Sequence, residues 1–233
     1  MSRIPGWTKV SKAVGWALAH QIRHLSLTLR LALRLVLFAG VAVCAQHAGP
    51  AWAGVIYVKA DATGANNGLS WANAYTDLQA GLAAAEWGGE IWVAQGTYKP
   101  TTSTLRTVSF VLEAGVGLYG GFAGAETERG QRNWETNATI LSGDIGIAGN
   151  TEDNTYHVVV GAHLAVLDGF TITGGKGGSG GGGMYNENCS PTVTNCTFSG
   201  NAGGGGGGGG MYNSGSSPTV TNCTFSDNTA SYG

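Results

Sequence analysis

The segment GGGMYNENCSPTVTNCTFSGN, Gly181 to Asn201, returns almost unchanged as GGGMYNSGSSPTVTNCTFSDN, Gly208 to Asn228. A unit this short has no room for a core of its own, so its apolar face must be covered by the next copy. Stacking therefore constrains every fold open to the chain. Shorter apolar pieces precede the pair: IWVAQGTY, VGLYGGF, TILSGDI and VLDGFTI. Aligned on the apolar residue before each bend, the series runs Val93, Leu118, Leu141, Leu167, Val193 and Val220. The steps are near-regular, at about 25 residues each, a period typical of solenoids. That spacing predicts about six coils over residues 91–233.

The residue types select the kind of stack. The Leu scaffold of a leucine-rich repeat is missing, and the glycine runs forbid helical repeats. β-branched residues, Thr and aromatics, bounded by Gly, Asn and Pro, read as short strands. A parallel β-helix fits, each strand pairing with its equivalent one coil away at about 4.8 Å. In VTNCTF the step from Val193 to Cys196 breaks strict alternation. A left-handed bend at Asn195 repairs it and turns Val193, Cys196 and Phe198 inward together. Gly169, after Asp168, plays the same part in LDGFTI, with Leu167, Phe170 and Ile172 inside. Stacked Asn195 and Asn222 are placed to share amide hydrogen bonds from coil to coil.

Two regions precede the coils. Residues 1–53 hold six basic residues and no acid, then the apolar run Leu35 to Ala45 and the Ala51-Trp52-Ala53 pattern. This reads as a secretory signal peptide, since spanning a bilayer takes about 20 apolar residues; a lipoprotein site at Cys44 lacks the small residue wanted at Val43. Residues 54–90 form an N-terminal cap. VIYV (Val55 to Val58) reads as a strand. TDLQAGLAAAE reads as a helix, capped by Thr76 with Gln79 reaching back, its apolar face formed by Leu78, Leu82 and Ala85 and its end set by Gly88-Gly89.

Charge narrows the partners. The chain beyond residue 53 carries six basic residues against all 14 acids, a formal charge of −8. So few cations neutralise few phosphates, which argues against nucleic acid. Low charge throughout, 11%, also argues against a disordered chain. The mature part has no candidate transmembrane helix. Cys189, Cys196 and Cys223 lack C-x-x-C spacing, and His157 and His163 are not near them in sequence, so no metal site is expected. Cys196 and Cys223 hold equivalent positions, within disulfide range or packed unpaired as small apolar groups. The glycine runs match G-x-G-x-x-G only by abundance, without strand-to-helix context, so no cofactor site is expected. There the glycines are expected to allow tight turns between coils.

IWVAQGTYKP and LDGFTITGG resemble coils of right-handed parallel β-helix proteins, the pectin-lyase-like superfamily. SWANAYTDLQAGLAAA is similar to the segment that caps such coils in large bacterial secreted proteins. Gly182-Gly183-Met184 with Phe198 to Asn201, and Gly209-Gly210-Met211 with Phe225 to Asn228, resemble the GG-apolar and F-x-x-N repeats of polymorphic outer-membrane proteins. The resemblance covers about residues 54–233. It implies an all-β, right-handed parallel β-helix solenoid with an N-terminal strand and short capping helix, secreted or at a bacterial cell surface or outer membrane.

The same scaffold carries enzymes, adhesins and passive stalks. Enzymes of this shape need clustered carboxylates or a base with a cation. The candidates in the coils are Asp144, Glu152, Asp153, Asp168 and Lys176. Asp168 reads as a turn residue, and Glu152 and Asp153 as parts of a solvated loop, so no catalytic residue is assigned. The sequons at Asn195 and Asn222 are discounted because both asparagines serve as bends. Trp71, Trp87, Trp92 and Trp134 suit sugar stacking but gather near the cap, where burying the end of the stack is the expected task. The expected function is an adhesin-like or carbohydrate-contacting structural module, with glycans or host or neighbour-cell surface proteins as partners. The alternative is a polysaccharide lyase or glycoside hydrolase whose active residues lie partly outside this sequence. The register at NTASYG further predicts more repeats, and a sorting or anchor domain, beyond Gly233.

Overall fold

In a computed structural model of the protein, residues 54–178 and 180–230 are described. The expected signal segment 1–53 lies outside them. The described part is built mainly of strands, with parallel pairing between them. The first sheet holds β1 (Val55–Val58), β2 (Glu90–Ala94), β5 (Gly117–Phe122), β8 (Val166–Asp168), β11 (Thr192–Thr194) and β15 (Thr219–Thr221), in that order. The second runs β3 (Gly96–Tyr98), β6 (Thr139–Ser142), β9 (Thr171–Thr173), β12 (Thr197–Ser199), β16 (Thr224–Ser226). The third runs β4 (Phe110–Val111), β7 (Val159–Val160), β10 (Met184–Glu187), β14 (Met211–Ser214). A short pair, β13 (Ala202–Gly203) with β17 (Thr229–Ala230), follows the second sheet.

From β2 onward the described chain visits the first, second and third sheets in turn and then begins again. Four such circuits are complete among the described residues, and a fifth enters the second sheet. The shared row of the first sheet is Ile56, Ile91, Leu118, Leu167, Val193 and Val220. Two positions in the sequence series are thereby corrected. Ile91, not Val93, stands beside Leu118, in the regular stretch of pairing that precedes a register shift between Trp92 and Ala94. Leu141 sits in the second sheet, between Tyr98 and Ile172. The circuit from Leu118 to Leu167 is nearly double the length of the next one, Leu167 to Val193. Segments 123–138 and 143–158 are inserted between its strands. By spacing alone it resembles two units, so spacing overestimates the coils at about six.

In the first repeat and the coil before it the inward assignments hold, whereas Val220 and Phe225 of the second copy are 41% and 48% exposed. Val193, Cys196 and Phe198 are buried, as are Leu167, Phe170 and Ile172. Asn195 and Asn222 both have φ of 52°, and Gly169 has 84°. The Phe198 and Phe225 rings stack 4.8 Å apart and 4° from parallel. The capping helix is shorter than expected, α1 (Leu78–Ala84), and begins one residue later: the Asp77 carboxylate, not Thr76, accepts from the Gln79 amide. Gln79 does not reach back; its side chain donates to the carbonyls of Pro100 and Ser109. Leu78, Leu82 and Ala85 are buried as expected.

The paired motifs also acquire physical roles. The Gly182 and Gly183 pair is not in left-handed conformation; Gly205 and Gly206 in the neighbouring run are. A Cβ on Gly182 would lie 2.3 Å from the Ala202 carbonyl oxygen, and one on Gly183 2.4 Å from that of Gly210. Close approach between rungs, rather than turning, is what these two glycines allow. The Asn of F-x-x-N is a buried clamp. Asn201 is 1% exposed; its amide donates to the carbonyls of Ile172 and Ser199 and to Asn228 Oδ1, and its oxygen accepts from the Gly175 N–H. Asn228 repeats the gesture one rung on, donating to the Phe198 carbonyl at 2.7 Å.

Asn201→Leu strands several buried backbone groups at once, so a loss on the order of 3 kcal/mol in unfolding free energy is expected from urea denaturation. Asn228→Leu, on the more exposed rung, is expected to cost less.

Candidate functional site

The bend between the first and second sheets repeats at Gly169, Asn195 and Asn222, and there a hydrogen-bonded column forms. Asn222 Nδ2 donates to Asn195 Oδ1 at 2.6 Å, and Asn195 Nδ2 donates to Asp168 Oδ1 at 2.8 Å. The other Asp168 oxygen accepts from the Arg132 guanidinium at 2.6 Å. Arg132 also donates to the carbonyls of Gly120 and Asp168. Both partners are nearly buried, with side-chain exposures of 7% and 11%. The expected Asn195–Asn222 link is thus the outer half of a column whose inner end is an ion pair.

Arg132 comes from the inserted segment 123–138, which folds over the outer side of the first sheet. Arg129 lies over the Tyr119 ring at 4.5 Å and meets the Glu90 carboxylate. Arg132 lies 5.0 Å from the Trp134 ring. Trp71 donates to the Glu126 carbonyl and packs edge-on against Tyr57. Trp92 stacks on Phe122 at 4.8 Å. Trp71 and Trp92 therefore cover the N-terminal end of the first sheet, in line with the burial expected of them. The other two depart from it. Trp87 is 66% exposed, and Trp134 forms the wall of a groove.

That open groove, of about 350 Å³, runs along the bend. Trp134 and Glu135 line one side, and Asn195 and Asn222 contribute amides. Thr171, Thr197 and Thr224, one rung apart in register, contribute hydroxyl-bearing positions. The lining thus combines one indole, one carboxylate and hydroxyls and amides repeated at the strand spacing. Such a lining places one apolar face beside repeated hydrogen-bonding groups. The groove is not legible in the sequence, because its wall comes from an insertion that follows no repeat. The signal available is the surplus length of that one circuit.

The acids singled out in the sequence divide between two places. Asp168 stands beside the groove, with both oxygens occupied by Arg132 and Asn195. Asp144, Glu152 and Asp153 lie in the other insertion, 143–158, where Lys99 approaches Asp144 at 3.6 Å and Lys176 pairs with Glu152. The Glu152 side chain is 77% exposed in that pair, in keeping with a solvated loop. No group of three or more His, Cys, Asp or Glu side chains suited to a metal occurs among the described residues. No helix among them is long and apolar enough to cross a membrane.

The three cysteines among the described residues, Cys189, Cys196 and Cys223, are free thiols. Cys196 lines the groove, and its thiol contacts the Leu167 and Thr194 carbonyls. Burial pushes the Cys196 thiol well above its ordinary range. The hydrogen bond from Cys196 brings the partly exposed Cys223 thiol down to about 6.

The family described as "Protein of unknown function (DUF1565)" matches residues 62–231. No curated protein and no solved structure matches the chain.

Arg132→Met leaves the Asp168 charge buried without its counterion, and a loss of about 3–5 kcal/mol is expected in urea denaturation. Adding Asp168→Asn is expected to recover most of it in a double-mutant cycle. For the thiols, alkylation of Cys223 by iodoacetamide is expected to rise with pH through about 6, with Cys196 protected until unfolding. Between about 6 and the ordinary thiol range the unfolded chain binds the extra proton at Cys223. Stability relative to Cys223→Ser should therefore rise with pH in that window and fall as pH drops through it.

Proposed function

From the premise that the chain belongs to the DUF1565 family, we propose that it is a right-handed parallel β-helix of a bacterial secreted or cell-surface protein, serving as an adhesin-like module that contacts carbohydrate. Three parallel sheets visited in strict rotation, with equivalent residues in register, support the β-helix reading. So do the paired GG-apolar and F-x-x-N motifs, through close approach and clamp.

The observation that carries the binding reading is the groove wall at Trp134 facing in-register threonines and asparagines. A pyranose ring has an apolar C–H face that stacks on an indole and hydroxyl edges that match amides and hydroxyls. The charge of the groove selects among sugars. Its carboxylate is Glu135, and the nearby cation, Arg132, is consumed by Asp168. With the −8 formal charge beyond residue 53, uronate polymers are disfavoured and neutral glycans favoured. Repeated weak contacts along a periodic surface suit a periodic polymer.

Affinity electrophoresis of the purified protein through gels containing neutral or acidic polysaccharides tests this. Retardation by a neutral glycan is expected, lost in Trp134→Ala and kept in Trp87→Ala. Equal retardation of Trp134→Ala, or none with any neutral glycan, would remove the groove reading. Release of new reducing ends or unsaturated products, surviving purification, would replace it with a lyase or hydrolase.

A further inference from the structure

The inserted segment 143–158 is tightly closed on itself. The Gly143 carbonyl accepts from both Ile145 and Thr155. Asp144 Oδ1 accepts from the Gly149 N–H at 3.0 Å, Asp153 Oδ2 from the Ile147 N–H at 2.8 Å, and Asn150 Oδ1 from the Glu152 N–H at 3.1 Å. Gly146, at φ 62°, passes so near Asp153 that a Cβ there would lie 2.6 Å from the carboxylate. Asn154 is held on two sides: its Nδ2 donates to the Gly174 carbonyl, and its own carbonyl accepts from Arg106 Nε.

Two oxygens are left over. Asp153 Oδ1 and Asn154 Oδ1 are both sealed from solvent and accept no hydrogen bond. Asn154 as a whole is 6% exposed. An orphaned buried acceptor is costly, and a buried carboxylate oxygen more so; such groups are normally paired or coordinate a metal. Of the three acids in the loop, Asp144 has Lys99 and Glu152 has Lys176. Asp153 has no ion-pair partner among the described residues. Adjacent residues thus hold back one oxygen each, beside a negative charge without a counterion. Oxygens of this kind suit a partner that accepts electron pairs.

We propose that this loop is a binding site for a hard divalent cation of calcium's size, ligated by Asp153 Oδ1 and Asn154 Oδ1, with loop carbonyls and water completing the shell. Calcium takes six to eight oxygens in irregular geometry and accepts carboxylate, amide and backbone oxygens together. Magnesium demands a near-ideal octahedron and keeps most of its water. The donor set holds no imidazole or thiolate, which disfavours zinc. Bound there, the ion clamps the connection between the second and third sheets within the longest circuit.

The test uses the purified full chain after EDTA treatment and dialysis. Thermal unfolding is followed with calcium, with magnesium and with EDTA, and terbium is titrated with luminescence excited through the aromatic residues. Calcium is expected to raise the unfolding temperature by several degrees, magnesium by less, and terbium emission to saturate and be displaced by calcium. Asp153→Asn is expected to cancel both responses, while Glu152→Gln retains them. Because each variant is read as its own difference with and without calcium, a lower baseline stability in Asp153→Asn leaves the comparison intact. Absence of saturable terbium or calcium binding in the wild type overturns the site and assigns the two oxygens to buried water. A wild-type response in Asp153→Asn overturns it in favour of another site. An equal shift from magnesium overturns the size assignment.

Discussion

The structure depends on in-register parallel pairing of equivalent positions. Each strand residue is answered by the residue at the same place one rung away, so a side chain that suits its own kind satisfies both rungs. Aliphatic residues do so by packing, as in the row Leu118, Leu167, Val193. Aromatics do so by stacking, as with Phe198 on Phe225 and Tyr185 on Tyr212. Asparagines do so because an amide both donates and accepts, and so links to a copy of itself. Asn195–Asn222, Asn201–Asn228 and Asn186–Asn213 are three such links in three different parts of the circuit.

The same rule makes charge difficult to place. A carboxylate stacked on a carboxylate repels, so an ionised residue in a register row must be met by something else. Asp168 shows the solution. It occupies the row of Tyr119 and Thr194, accepts from an asparagine on one side, and takes its counterion from an insertion outside the repeat. The insertions of the long circuit supply what the repeat does not: cations, an indole wall and a loop rich in oxygen ligands. Ion pairs gather where periodicity is broken, because there a side chain need not match its own copy.

That division explains how much is legible in the sequence. Inward Val193, Cys196 and Phe198 and the left-handed Asn195 follow from one broken alternation, since a step of three between buried residues requires a bend. The buried face of α1 follows from spacing. Its cap is displaced by one residue because Thr76 and Asp77 are both competent caps and only their hydrogen bonds distinguish them. Leu141 is drawn into the wrong row because its distance from Leu118 matches one repeat, and no copy exists there to fix the register. The groove escapes the sequence because Trp134, Glu135 and the threonines of three rungs are scattered along the chain.

The sequence by itself determined the rung: its strands, its bends, its inward residues and its self-matching amides. These are local or strictly periodic properties, and a repeat displays them twice. Only the tertiary structure decided which strands share a sheet, where the long circuit closes, and that Arg132 meets Asp168 beside a groove. Those outcomes depend on how inserted segments fold back across the stack, a long-range choice settled by packing and charge pairing rather than by spacing.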